Sequence, residues 1–195
     1  MNKRTMTGYL EIIIGPMFSG KTSKLLEVYK QCNYCNIRVC VVNHKSDTRY
    51  SETQLCSHDG IAIPCIQIQS ISELFELHSN QDHTFSQAEV VLINEAQFFP
   101  DLYEGVIQML RDKKRVYLCG LDGDYKRDKF GQILDLIPYC DKIEKLHSLC
   151  GICKDGEYGI FSKRLTCEDA QTLVGTTMYT PVCRKCYETE STSYR

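Results

Sequence analysis

Gly15-Pro16-Met17-Phe18-Ser19-Gly20-Lys21-Thr22 fits the pattern G-x-x-x-x-G-K-[ST], and its flanks decide the fold. Before it runs the apolar stretch Tyr9 to Ile14; after it Leu25, Leu26, Val28, Tyr29 and Cys32 recur at helical spacing. A strand, a glycine-rich turn and a helix in that order make a phosphate-binding loop. The glycines let the backbone fold round an anion, so that N–H groups and a helix N-terminus face phosphate oxygens. Lys21 then reaches the outer phosphates, and the Thr22 hydroxyl sits on a magnesium ion. The plainer reading is a strand-to-helix turn with a surface lysine.

Working outward, β-branched and apolar runs predict further strands over Asn36 to Asn43, Ile61 to Ile68, Ala88 to Ile93 and Arg115 to Leu121. Helices are expected over Ile71 to Leu77, over Asp101 to Arg111 behind Pro100, and over Phe130 to Ile137, stopped by Pro138. Ser79 to Gln87 reads as a polar connection, and Lys142 to Leu149 as a lead into the C-terminal part. Such alternation gives an α/β fold, a mostly parallel sheet flanked by helices. Open sheets of this kind gather ligand contacts at the carboxyl ends of their strands. Three polar segments fall there: His44 to Asp59, Asn94 to Phe99, and Asp122 to Lys129. A carboxylate after the strand at 88 to 93 can meet the magnesium or the attacking group.

The length, 195 residues, allows one sizeable core, or one domain with a small appendix. A formal net charge of -2 with interspersed signs excludes a basic face for duplex nucleic acid and a polybasic membrane anchor. Met1-Asn2-Lys3-Arg4 is basic, but the following apolar stretch is interrupted by Glu11, so neither a secretion signal nor a spanning helix is expected. The twelve cysteines are then read mostly as reduced thiols. Cys40, Cys65 and Cys119 behave as small apolar strand residues, and Cys32 and Cys35 as helix-end packing. Cys150-Gly151-Ile152-Cys153 and Cys183-Arg184-Lys185-Cys186 differ, because two C-x-x-C turns can converge four thiolates on one tetrahedral zinc. Four cysteines leave no open position, so the site is architectural; a disulfide or an empty reduced pair is the alternative.

The loop, Asp47-Thr48-Arg49-Tyr50, the stretch Asn94 to Asp101, Leu121-Asp122-Gly123 with Phe130-Gly131, and the paired C-x-x-C ends occur in that order. In this the chain closely resembles the type II thymidine kinases over nearly all its length. The resemblance implies a RecA-like P-loop kinase domain over residues 1–146, a zinc-binding lasso domain over 147–187 and a polar tail over 188–195. It also implies a cytoplasmic homotetramer that moves the γ-phosphoryl group of ATP to the 5′-hydroxyl of thymidine, with deoxyuridine a further candidate.

Carried over residue by residue, Glu95 is the general base, and Arg49 and Lys21 attend the transferring phosphoryl group. Gly15, Pro16, Met17, Phe18, Ser19, Gly20, Lys21, Thr22, Asp47, Asn94 and Gln97 form the ATP and magnesium site. Phe98, Tyr125 and Phe130 surround the base, with Ala170, Gln171, Thr172, Leu173, Val174 and Tyr179 on a lasso that holds it largely through main-chain groups. Zinc on Cys150, Cys153, Cys183 and Cys186 anchors that loop and lowers the entropy lost when it closes. Asn94 departs from the family's Asp, so magnesium, held by Thr22 with Asn94 as a second candidate ligand, is expected to bind more weakly.

Each assignment has an ordinary alternative. Glu95 could be only a magnesium or water ligand, Asp47 and Arg49 a surface ion pair, and Phe98 and Tyr125 core. His58 and His147 receive no role. The rival functions are a P-loop nucleotide-binding or regulatory module with a zinc ribbon and no nucleoside kinase activity, and a kinase reduced by Asn94 to nucleotide binding. Near-neutral charge and the lack of an aromatic-basic stripe count against the nucleic-acid form of that module.

Overall fold

The first described strand, β1 (Tyr9–Ile14), is apolar on both faces apart from Glu11, which pairs with Lys142 at 2.7 Å, and the reason is its position inside a sheet covered on both sides. The computed structural model describes residues 7–47, 53–56, 60–77, 84–166, 171 and 178–190. After β1 come α1 (Lys21–Tyr34), β2 (Val39–His44), β3 (Gln54–Cys56), β4 (Ala62–Pro64) and β5 (Ile66–Ile68). Next are α2 (Ser72–Leu77), α3 (Thr84–Gln87), β6 (Val90–Ile93), α4 (Leu102–Arg111) and β7 (Arg115–Gly120). The central sheet closes with β8 (Lys142–Lys145), and has six strands in the order β5-β2-β6-β7-β1-β8. Every pairing within it is parallel.

Alternation along the strands divides the core. Leu10, Ile12 and Ile14 of β1 pack with Leu102, Val106 and Met109 of α4 on one face. Ile13 joins Leu25, Leu26 and Cys32 of α1 on the other. Cys40 and Cys119 lie within the sheet, essentially without solvent contact, as small apolar residues. Among the described residues no helix is long and apolar enough to cross a membrane.

Four local differences from the sequence reading have physical causes. The run Ile61 to Ile68 is two strands, because the Cys65 N–H turns to Thr53 O (3.0 Å) and closes β4 onto β3 as an antiparallel hairpin before β5 enters the sheet. Pro138 lies inside a 3₁₀ helix, Ile133–Tyr139, where the missing N–H costs one short-range bond, so it does not end the helix. The segment from Lys142 supplies an edge strand and is more than a connection. The supposed polar connection before Gln87 contains α3, whose Phe85 is fully buried.

The C-terminal part consists of short antiparallel pairs, β9 (Ser148–Leu149) with β10 (Tyr158–Gly159) and β11 (Phe161–Arg164) with β12 (Tyr179–Val182), followed by α5 (Arg184–Glu190). Its own core is Cys150, Val182 and Cys183, with Phe161 and Tyr187 packed against it. α5 continues through residues 188–190 of the segment expected as a tail.

Candidate active site

The loop between β1 and α1 is shaped by its glycines. Gly15 (φ 149°) and Gly20 (φ 83°) adopt backbone conformations that L side chains rarely reach, and a Cβ on Gly15 would collide with Leu146 O. The Ser19 hydroxyl donates to Pro16 O at 2.8 Å, and Lys21 Nζ donates to the same carbonyl at 2.6 Å. Lys21 is thus folded over its own loop. Among the described residues no side chain caps α1, which leaves its first-turn N–H groups toward the loop.

The carboxyl end of β6 comes to meet this loop. Asn94 Oδ1 lies 3.4 Å from Thr22 Oγ1, although β7 stands between β6 and β1 in the sheet. Asn94 is buried; its Nδ2 donates to Asn43 Oδ1 at 2.8 Å and its Oδ1 accepts from the Cys119 thiol at 3.0 Å. Asn43 Nδ2 in turn donates to Asp47 Oδ2 at 3.2 Å, which connects Asp47 with the loop. Glu95 follows in the left-handed region (φ 52°, ψ 41°), a conformation that costs a side-chain-bearing residue about 1–3 kcal/mol and is retained mainly where function needs it. It is half-buried, and Gln97 Nε2 donates to its Oε2 at 2.7 Å. Gln97 also accepts the Leu121 N–H at 3.0 Å, so this expected nucleotide-site residue spends its amide on aiming Glu95.

His44, at the end of β2, packs against the rings of Phe98 (5.5 Å) and Phe99 (4.8 Å). It accepts the Ser46 N–H on Nδ1 and donates from Nε2 to Gln69 O. Burial lowers its pKa, against the Gln69 carbonyl and the charges of Glu95, Glu73 and Asp47, which raise it.

Phe98 meets Phe130 edge to face, centroids 5.4 Å apart. The Arg164 guanidinium stacks 3.7 Å from the Tyr125 ring centroid and donates to the Tyr179 hydroxyl (2.6 Å) and to Gln171 O (3.1 Å). The Gln171 side chain donates to Asp124 Oδ2 at 2.9 Å. Of the expected lasso strip only Gln171 is described; Ala170, Thr172, Leu173 and Val174, together with Arg49 and His58, lie outside the described residues. A further link joins the two ends of the chain, because the Met17 N–H donates to the Ser162 hydroxyl at 2.9 Å.

Asn43, Asp124, Ser162 and Arg164 were not singled out by sequence reasoning. The signal available for the last two was polar residues at i and i+2 in a strand whose buried positions are those same two. His147 stacks on Tyr158 at 3.6 Å and takes no part in this site.

The Sγ atoms of Cys150, Cys153, Cys183 and Cys186 all lie within 4.8 Å of one another. Zn–S bonds of about 2.3 Å would set tetrahedral sulfurs about 3.8 Å apart, so the cluster fits zinc without rearrangement of the chain. Burial pushes the Cys150 thiol up, but the backbone N–H groups of Cys183, Cys153 and Ile152 prevail and bring it down to about 6. The Cys186 N–H likewise points at Cys183 Sγ (3.4 Å), an arrangement that suits a coordinating thiolate. The Thr22 hydroxyl and the Asn94 carbonyl are adjacent hard oxygen donors, the residues here that would hold a magnesium ion.

A six-stranded parallel sheet flanked by helices, with a glycine-rich loop that meets the buried Asn94 beside Glu95 and four convergent thiols in the C-terminal part, places the protein in the α/β class. Comparison with known sequences makes that class specific. A family model described as thymidine kinase matches residues 8–187. The chain is 38% identical over 192 residues to "Thymidine kinase a" of Arabidopsis thaliana, covering 96% of this chain and 78% of that protein. It is 38% identical over 182 residues to a thymidine kinase of Bacteroides thetaiotaomicron (92% and 87%), and 36% over 188 residues to that of Yaba monkey tumor virus (96% and 97%). The chain belongs to the thymidine kinase family.

Proposed function

We propose that this protein transfers the γ-phosphoryl group of ATP to the 5′-hydroxyl of thymidine, with Glu95 as the general base. The observation that carries the reading is the meeting of Thr22, at the start of α1, with Asn94, next to Glu95. A triphosphate cradled by residues 15 to 22 then ends close to a carboxylate that Gln97 already orients. As the hydroxyl attacks, Glu95 accepts its proton, a contribution typically of about 10²- to 10⁴-fold. Lys21 leaves Pro16 O for the phosphate oxygens, and Arg49 adds fixed positive charge as negative charge develops on them. Magnesium, held by Thr22 and Asn94, neutralises phosphate charge when bound. Phe98, Phe130 and Tyr125 bound the base, and residues 170 to 174 with Tyr179 close over it.

Zinc on the four cysteines roots that flap. From the same resemblance the proposal extends to a kinase domain over residues 1–146, a lasso domain over 147–187 and a tail over 188–195, and to a cytoplasmic homotetramer. Purified protein with ATP, magnesium and each deoxynucleoside in turn tests the activity, with monophosphate as the readout. Thymidine should give monophosphate; nucleotide binding without any monophosphate would favour the regulatory-module reading instead. Sedimentation of the same sample tests the tetramer.

A further inference from the structure

We propose that Asp47 and Asn43 form a one-way hydrogen-bond relay that holds the Asn94 amide with its oxygen toward Thr22, so that a neutral amide serves the cation side of the ATP site where a carboxylate is expected. The inference rests on the reading of residues 15 to 22 as the site of magnesium and ATP.

Direction enters the relay at Asp47. An ionised carboxylate only accepts, so the Asn43 group facing it at 3.2 Å must be the NH₂. That choice leaves the Asn43 oxygen on the opposite side, where it accepts the Asn94 NH₂ at 2.8 Å. Asn94 then has only its oxygen to turn toward Thr22, 3.4 Å away, and toward the Cys119 thiol, 3.0 Å away. Reversing Asn43 would set oxygen against oxygen at Asp47 and NH₂ against NH₂ at Asn94, and reversing Asn94 would set oxygen against oxygen at Asn43.

Water cannot repair such a joint, because Asn43 and Asn94 are only 2% and 1% exposed and Asp47 8%. The backbone fixes the spacing as well. Val42 pairs with Ile93 in the β2–β6 ladder, and the Asn94 N–H donates to Val42 O at 2.9 Å, which brings Asn43 alongside Asn94. An amide at position 94 therefore depends on its neighbours for orientation in a way that a carboxylate, with two equivalent oxygens, would not. The charge of Asp47, two hydrogen bonds away, further polarises the Asn94 carbonyl.

The test is Mn²⁺ binding to the protein–ATP complex without nucleoside, read from the free-Mn²⁺ paramagnetic resonance signal, in wild type, Asn43→Leu, Asn94→Asp and the double variant. Asn43→Leu should weaken Mn²⁺ by roughly 10- to 100-fold, the range found when a partner that orients a metal ligand is lost. On the Asn94→Asp background the same change should cost nothing or relieve a repulsion, since Asn43 Oδ1 would there face a carboxylate oxygen and has no amide to orient. Equal losses on both backgrounds, or none on either, would overturn the relay while leaving the ATP site intact. A wild type with no Mn²⁺-dependent ATP binding would remove the site reading and the relay together. If Asn43→Leu fails to fold, Asp47→Asn, which frees the direction at its source with almost no change of shape, decides the question in the same two backgrounds.

Discussion

Replacement of Gln97 by Leu removes two hydrogen bonds at once, and the structure assigns them different consequences. One is the 2.7 Å donation to Glu95 Oε2, and the other is acceptance of the Leu121 N–H at 3.0 Å. A hydrogen bond to a charged group contributes about 1.5–3 kcal/mol, and if that energy aims Glu95 in the transition state its loss lowers kcat roughly 10- to 150-fold. The Leu121 N–H, at the end of β7, loses a buried acceptor, which costs stability about 1–3 kcal/mol. The assay is steady-state monophosphate formation across thymidine concentrations, with thermal melting of the same samples. Turnover should fall with little change in the KM for ATP, and the melting temperature should drop by several degrees. A variant that melts lower yet turns over within threefold of wild type would refute the positioning role, because the packing loss alone would then account for everything.

Three further outcomes follow from the same geometry. His44 is held neutral by burial, so its contribution to stability is complete above the unfolded pKa of about 6.5 and is lost as pH falls toward the lower folded value. Protonation would also turn Nδ1 into a donor facing the Ser46 N–H. The melting-temperature advantage of wild type over His44→Gln should therefore shrink as pH falls below about 6.5, and a constant gap would refute this. Metal analysis should find one zinc per chain, abolished by Cys153→Ser. Zinc capture is worth on the order of 10 to 16 kcal/mol in isolated finger peptides, so chelation should expose the 148 to 190 region to protease; unaltered cleavage would contradict an architectural role. Gly131→Ala should destabilise by more than the roughly 1–2 kcal/mol of a left-handed side-chain residue. Gly131 lies at φ 63°, and its new Cβ would collide with Gln97 O, so the KM for thymidine should rise as Phe98 and Phe130 separate.

The sheet was legible because its buried parallel strands are mostly apolar, with only single polar interruptions such as Glu11, and because the glycine-rich loop marks where β1 ends and α1 begins. The two C-x-x-C turns were legible for a similar reason, since short spacing already fixes local geometry. What failed to show in the sequence depends on contacts between distant segments. The break at Cys65 is set by a bond to Thr53, and the role of Gln97 by a bond to Leu121. Asn43 looks like the last residue of an ordinary strand until β6 is placed beside it. Arg164 resembles any exposed cation on a short strand, and only the fold shows it buried between Tyr125, Gln171 and Tyr179.

The account depends most on the Glu95 carboxylate taking the proton of a sugar hydroxyl beside bound ATP. The direct measurement is Glu95→Gln, with single-turnover formation of thymidine monophosphate and ATP affinity determined on the same preparation. Loss of the base should slow the chemical step about 10²- to 10⁴-fold while ATP binds as in wild type. A single-turnover rate equal to wild type, with ATP bound normally, would contradict it.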